Sequence, residues 1–207
     1  MRLLARVSLA AAVLAPMLAL ADTPGVDISP SLFSPYGNYG GITVGFRFDV
    51  TQTLEVTALG HLFFGGDVIP RQVGLWDPNG NLLASTTVLA SDPMVDGWSY
   101  HWLGGPIILN PGVNYAVGGF EPSGVFTYYT FGNQSGLPVA PGISTDHHPY
   151  YHYTNSGLTD PVDPEGDNGL WNGADFLVNA VPETPPVVAL GLGVGLLGIL
   201  TRRRNRR

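Results

Sequence analysis

The chain contains no cysteine and no lysine. The first absence excludes a disulfide framework, a thiol nucleophile and a thiolate metal site. It does not argue against export, which needs no disulfides. Charged residues are scarce as well, 12% of 207, about half the usual share for a globular protein. Between the two ends no segment keeps a 3.6-residue hydrophobic period, so long amphipathic helices are not expected. The sequence also lacks a G-x-S-x-G elbow, an H-E-x-x-H pair and a Walker loop, which removes the local signatures of common hydrolases and NTPases. Sixteen carboxylates would supply a glycosidase pair, but no spacing selects two of them.

What charge there is lies unevenly. Arg2 and Arg6 stand at the N-terminus, and Arg202, Arg203, Arg204, Arg206 and Arg207 at the C-terminus. Only Arg47 and Arg71 lie between, against sixteen acids from Asp22 to Glu183, so residues 22–183 carry a net −14. Such a body repels phosphate backbones, and nucleic acid is not an expected partner. It suits solubility or divalent cations.

The first 21 residues, MRLLARVSLAAAVLAPMLALA, combine a positive start, an apolar stretch and an Ala19-Leu20-Ala21 cleavage site before Asp22. That is the pattern of a secretory signal peptide. The competing reading, an N-terminal membrane anchor, wants a span of about 20 apolar residues. The C-terminus has three parts. Val181-Pro182-Glu183 is followed by an uncharged apolar run from Val187 to Leu200 and then by the arginine cluster. As a helix the run reaches about 21 Å, short of the ~30 Å hydrocarbon core. The arginines would stay on the cytoplasmic side.

This three-part order resembles the PEP-CTERM sorting signal of bacterial surface proteins. The resemblance covers residues 181–207 and rests on Val181, Pro182 and Glu183 with the span and basic end behind them. Thr184 stands where that family usually has its second proline. The resemblance implies an exosortase-type processing enzyme as partner and a transient tether at the inner membrane. It then implies delivery to the cell surface or extracellular matrix. An ordinary tail anchor is the alternative. Within the span Gly193, Gly195 and Gly198 fit G-x-G-x-x-G. No strand precedes them and no acid follows, so a dinucleotide site is rejected.

The body, residues 22–180, reads as one β-rich domain. Glycine (28) and proline (18) are abundant, which favours short strands and turns. Residues 22–41 look like an irregular lead-in. Val44, Phe46, Phe48 and Val50 then alternate with Gly45, Arg47 and Asp49. A second run sets Leu54, Val56, Ala58, Gly60 and Leu62 against Glu55, Thr57 and His61. Both are half-buried strands by period. Asp77-Pro-Asn-Gly80 joins Gln72–Trp76 to Asn81–Leu89 as a hairpin. Further strands are expected at Trp98–Leu103, Pro106–Leu109, Val113–Glu121, Val125–Phe131 and Ala174–Ala180. The fold class is therefore all-β, an antiparallel sandwich or jelly roll clearest over residues 41–131. Helix is expected only in the signal segment and the C-terminal membrane segment. The phrases GLWDPNGNLLA, GWSYHW and PIILNPGVNYAV resemble an uncharacterised β-sandwich module of bacterial surface proteins over Gly41–Pro122. That likeness brings no catalytic residues.

Three constellations are candidates for chemistry. Trp98, Tyr100 and Trp102 share one face of a strand, where they would form either an aromatic sugar platform or core. Asp163, Glu165 and Asp167 have the i, i+2, i+4 spacing of the first half of a calcium loop. Calcium is the one cofactor this suggests, the alternative being a solvated acidic loop. The EF-hand glycine position is Asn168, and Ala174 stands where the closing glutamate belongs, so a full EF-hand is excluded. His147, His148 and His152 would offer imidazoles, and Asp146 a carboxylate, to zinc or copper, or the segment simply forms an aromatic loop. Residues 132–173 have weak strand character, the mark of a functional or disordered stretch. The sequence thus leads to an exported, non-enzymatic surface or matrix protein. A carbohydrate-binding module for envelope or matrix polysaccharide is the runner-up, and a secreted hydrolase the third reading; the ligand expected is a neutral glycan or a protein partner.

Overall fold

The computed structural model describes residues 22–181, apart from 30, 32–33, 38–40, 123–126, 131–137, 146–147, 155, 165–169 and 172. For 34–37, 127–130 and 170–171 only the backbone enters the account. Residues 1–21 and 182–207, where the leader and the tail segment are expected, lie outside the described residues. Among the described residues no helix is long and apolar enough to cross a membrane.

The described strands run β1 (Thr23–Pro24), β2 (Ser34–Gly37), β3 (Ile42–Val50), β4 (Leu54–His61), β5 (Arg71–Trp76), β6 (Leu82–Val88) and β7 (Met94–Val95). They continue as β8 (Trp98–Leu109), β9 (Gly112–Glu121), β10 (Thr127–Thr130), β11 (Ile143–Ser144), β12 (Pro149–Tyr153), β13 (Asp163–Pro164), β14 (Leu170–Trp171) and β15 (Ala174–Ala180). Sheet I has the order β1-β15-β4-β8-β7. Sheet II has the order β13-β12-β3-β9-β5-β6, with β11 also on β3. A small third sheet joins β14, β10 and β2. Every pairing is antiparallel.

Sheets I and II pack face to face, and the all-β sandwich expected from the alternation is the observed fold. Phe46 and Phe48 on β3 project from sheet II onto Phe176 of sheet I, with ring centroids 6.2 and 4.7 Å apart. Val73, Leu75, Val117, Val56 and Leu59 close around them and are fully buried. Each such side chain taken from water contributes roughly 1.5–3 kcal/mol. The hairpin at Asp77 forms as its residues dictate. The Asp77 carboxylate accepts from the backbone N–H of Asn79 and Asn81 and from the Asn81 amide, and Gly80 takes φ 79°. These bonds hold the exposed carboxyl below its ordinary range.

Three expectations need correction. The run Leu54–Leu62 does not keep one alternation. Leu177 lies opposite Ala58 and Val178 opposite Val56, so Thr57 is an extra residue on β4. On the other side Ala58 faces Trp102 and Val56 faces Ile107, so Leu103–Pro106 bulge out of β8. A bulge shifts the inward-facing positions by one. Leu59 and His61 therefore join Leu54 and Val56 on the inner face, and His61 is fully buried rather than turned outward with Glu55. The stretch 132–173 contains four short strands, β11 to β14. The lead-in carries β1, whose Thr23 and Pro24 pair with Val178 and Leu177.

Candidate binding surface

Phe176 faces sheet II, so its neighbour Asp175 points out of the opposite face of sheet I. Tyr100 lies on that outer face, flat across Gly60, where a Cβ would meet Tyr100 Cδ1 at 2.5 Å. It donates its hydroxyl to Asp175 Oδ2 at 2.8 Å. Segment 25–28 roofs the pair. The Val26 N–H donates to Asp175 Oδ1 at 3.2 Å, and Trp98 Nε1–H donates to the Ile28 carbonyl at 3.0 Å. Residues 138–140 hold the roof in turn, through Asp27 N–H to Pro138 O and Ala140 N–H to Gly25 O. Burial pushes the Asp175 carboxyl up to about 7. Burial and the adjacent Asp175 push the Tyr100 phenol up as well.

The expected aromatic row is thereby corrected. Trp98 and Tyr100 are buried, and only Trp102 is open, at 46%. The three do not make a surface platform, because residues read as an irregular lead-in cover two of them. No local sequence signal places that cover, since Ile28 lies 70 positions before Trp98 in the chain.

The outer face of sheet II is built differently. Gly74, Gly118 and Gly45 lie side by side on β5, β9 and β3. The missing side chains of Gly74 and Gly118 leave a trough, and residues 158–161 lie in it, while a Cβ on Gly45 would run into the Val117 backbone. A Cβ on Gly74 would meet Leu158 at 2.9 Å, and one on Gly118 would meet Pro161 at 3.1 Å. Thr159 N–H donates to Thr43 Oγ1. Arg47 clamps this strap, donating to Asp160 Oδ1 at 2.9 Å and to the Pro161 carbonyl.

Beside the strap lies a polar cleft of about 270 Å³, lined by Arg47, Phe48, Asp49, Asn114, Ser144, Thr145 and Tyr150. Arg47 also donates to the Asn114 carbonyl, and its Cζ sits 5.5 Å from the centre of the Tyr150 ring. Asp49 Oδ1 accepts from Asn114 N–H at 2.8 Å, which holds Asn114 at φ 69°. Thr145 donates to the Arg47 carbonyl. Sequence reasoning did not find this site. One usable hint was Arg47 itself, one of two arginines in a strongly acidic body.

The other sequence candidates are only partly described. Asp163 is exposed on β13, where its carboxylate pairs with His152 Nδ1 at 3.0 Å. Glu165 and Asp167 lie outside the described residues, as do Asp146 and His147. Among the described residues no three His, Asp or Glu side chains converge as a metal site. Pro182 and Glu183 also lie outside, while Val181 N–H reaches the Thr53 carbonyl at 3.4 Å.

Inside the sandwich Glu121 binds two partners, His61 Nε2 at 2.9 Å and Arg71 Nε at 2.7 Å. Arg71 also reaches Asp67 and the Ile69 carbonyl. His61 Nδ1 has no partner among the described residues. This network ties sheet I to sheet II and leaves no opening to solvent: His61, Arg71 and Glu121 are all buried.

Fold and surface together define an acidic β-sandwich whose two body arginines are spent internally, with a polar cleft on one outer face. The chain matches the family described as a domain of unknown function (DUF4082) over residues 29–165, and it belongs to that family. The folded unit runs past that range, because β15 pairs with β4 inside sheet I. No curated protein matches the chain.

Proposed function

We propose that this chain is an exported, non-enzymatic surface or matrix protein, carried between a secretory leader and a PEP-CTERM-like tail. One observation carries most of the reading. The two ends of the fold meet: Asp22 Oδ1 accepts from Asn179 Nδ2 and from Thr57 Oγ1, each at 2.8 Å. Asp22 is the residue after the expected cleavage site, and Asn179 stands two residues before Val181, where the tail motif begins. A leader and a tail attached at these points would start close together, so a tether at the membrane would present the opposite end of the sandwich outward. A match to a domain of unknown function is compatible with a bacterial surface module. The acidic body favours a neutral glycan or a protein partner over an anionic polymer.

Intact mass of the surface-extracted protein tests this. A form starting at Asp22 and ending near Glu183 is expected. A surface form that retains Arg202–Arg207 rejects exosortase sorting, and a protein that stays in the cytoplasmic fraction rejects export.

A further inference from the structure

We propose that the cleft at Arg47, Asp49, Asn114, Ser144, Thr145 and Tyr150 binds one ring of a neutral saccharide. Three polar groups on its wall are unengaged among the described residues: Asp49 Oδ2, the Asn114 side-chain amide and the Ser144 hydroxyl. The Asp49 and Asn114 bonds that do form use only Asp49 Oδ1 and the Asn114 backbone. An acceptor, an amide that both donates and accepts, and a hydroxyl complement adjacent sugar hydroxyls. The wall is held in advance of any ligand. Arg47 is fixed by Asp160, the Pro161 carbonyl and the Asn114 carbonyl, and Tyr150 rests against its guanidinium. Preorganisation of this kind lowers the ordering cost of binding.

Charge and size narrow the ligand class. An anion would meet the Asp49 carboxylate within a body of net −14. A metal cation would find one carboxylate beside a guanidinium, and hard cations want several oxygens. About 270 Å³ falls just below the usual range of small-molecule sites, which begins near 300 Å³. It accommodates a single ring rather than a buried chain. This proposal rests on the surface reading only for where a glycan would be met. Solution binding and cell fractionation succeed or fail independently, so the two remain distinguishable.

The test is titration of the full chain with the methyl glycosides of glucose, galactose and mannose, followed by calorimetry and saturation-transfer NMR. Binding of at least one glycoside is expected. Asn114→Gly should weaken it by roughly tenfold, the loss of about one charged or bidentate hydrogen-bonding group. Glycine accepts the positive φ at this position without strain, so the turn survives the change. Ser144→Ala, which removes only an exposed hydroxyl, should weaken it less, and Trp102→Ala should leave it unchanged. The proposal is overturned if none of the three glycosides binds. It is equally overturned if Asn114→Gly and Ser144→Ala bind like the parent, or if methyl glucuronide is preferred over the neutral glycosides.

Discussion

The Tyr100 hydroxyl donates to Asp175 Oδ2 at 2.8 Å across the outer face of sheet I. The same carboxylate takes the Val26 N–H on its other oxygen. One buried acid therefore joins the middle of the sheet to the segment that covers it. Its pKa, raised to about 7 by burial from an ordinary 3.8, makes stability depend on pH. A folded-state pKa above the unfolded value means that the fold favours the protonated acid. Its contribution is complete below about pH 4 and is lost as pH rises through about 7. Asp175→Asn should therefore gain stability relative to the parent between about pH 5 and pH 8. Urea midpoints at both pH values measure it. A difference that stays constant with pH contradicts the assignment.

The aromatic row gives a second contrast. Trp98 is buried with its indole N–H bonded to Ile28, while Trp102 is 46% exposed beside the Leu103–Pro106 bulge. Trp98→Ala should cost about 3–5 kcal/mol, as large core truncations do. Trp102→Ala should cost less than about 1 kcal/mol. Thermal melts of the two variants decide the point, and equal costs would mean that Trp102 is also packed.

Much of the sandwich was legible because its signals are local. Alternation in Ile42–Val50 and in Ala174–Ala180, and the Asp77–Asn81 turn, depend on neighbours a few residues away. The rest depends on distant partners. Nothing near Thr57 marks it as the extra residue, since the bulge is set by pairing with Leu177 and Trp102. The trough over Gly74 and Gly118 exists only after β5 and β9 align. The cleft draws on residues from 47 to 150, and the cover over Trp98 comes from residues 25–28. A period of two shows which residues share a face, but not what lies on top of that face.

The strap over sheet II rests on the Arg47–Asp160 pair, whose side chains are only 11% and 16% exposed. A double-mutant cycle with Arg47→Met and Asp160→Asn should give a coupling energy on the order of 1 kcal/mol, above that of an exposed pair. Hydrogen exchange should rise at the Thr159 amide, which is held by Thr43. If either variant leaves Thr159 as protected as in the parent, apolar seating of Leu158 and Pro161 holds the strap without the clamp.

The His61–Glu121–Arg71 network should behave as a specificity device more than as a source of stability. Its members are buried, and Glu121 alone accepts from both of the others. Glu121→Gln leaves the Arg71 charge with Asp67 as its remaining carboxylate partner, so the cost should fall below the about 3–5 kcal/mol of a buried charge left wholly uncompensated. The triple change His61→Leu, Arg71→Met, Glu121→Leu removes the desolvation penalty together with the attraction, and also the unpartnered His61 Nδ1. Asp67, which remains 13% exposed, can then turn to solvent. The triple variant should therefore be more stable than Glu121→Gln alone. Gly119 and Gly173 set a limit on this, since both lie against the His61 ring and tolerate a leucine there only if its branch turns toward Phe63. Urea unfolding of the single and triple variants at one pH provides the comparison. A triple variant less stable than Glu121→Gln would show that the network contributes net stability.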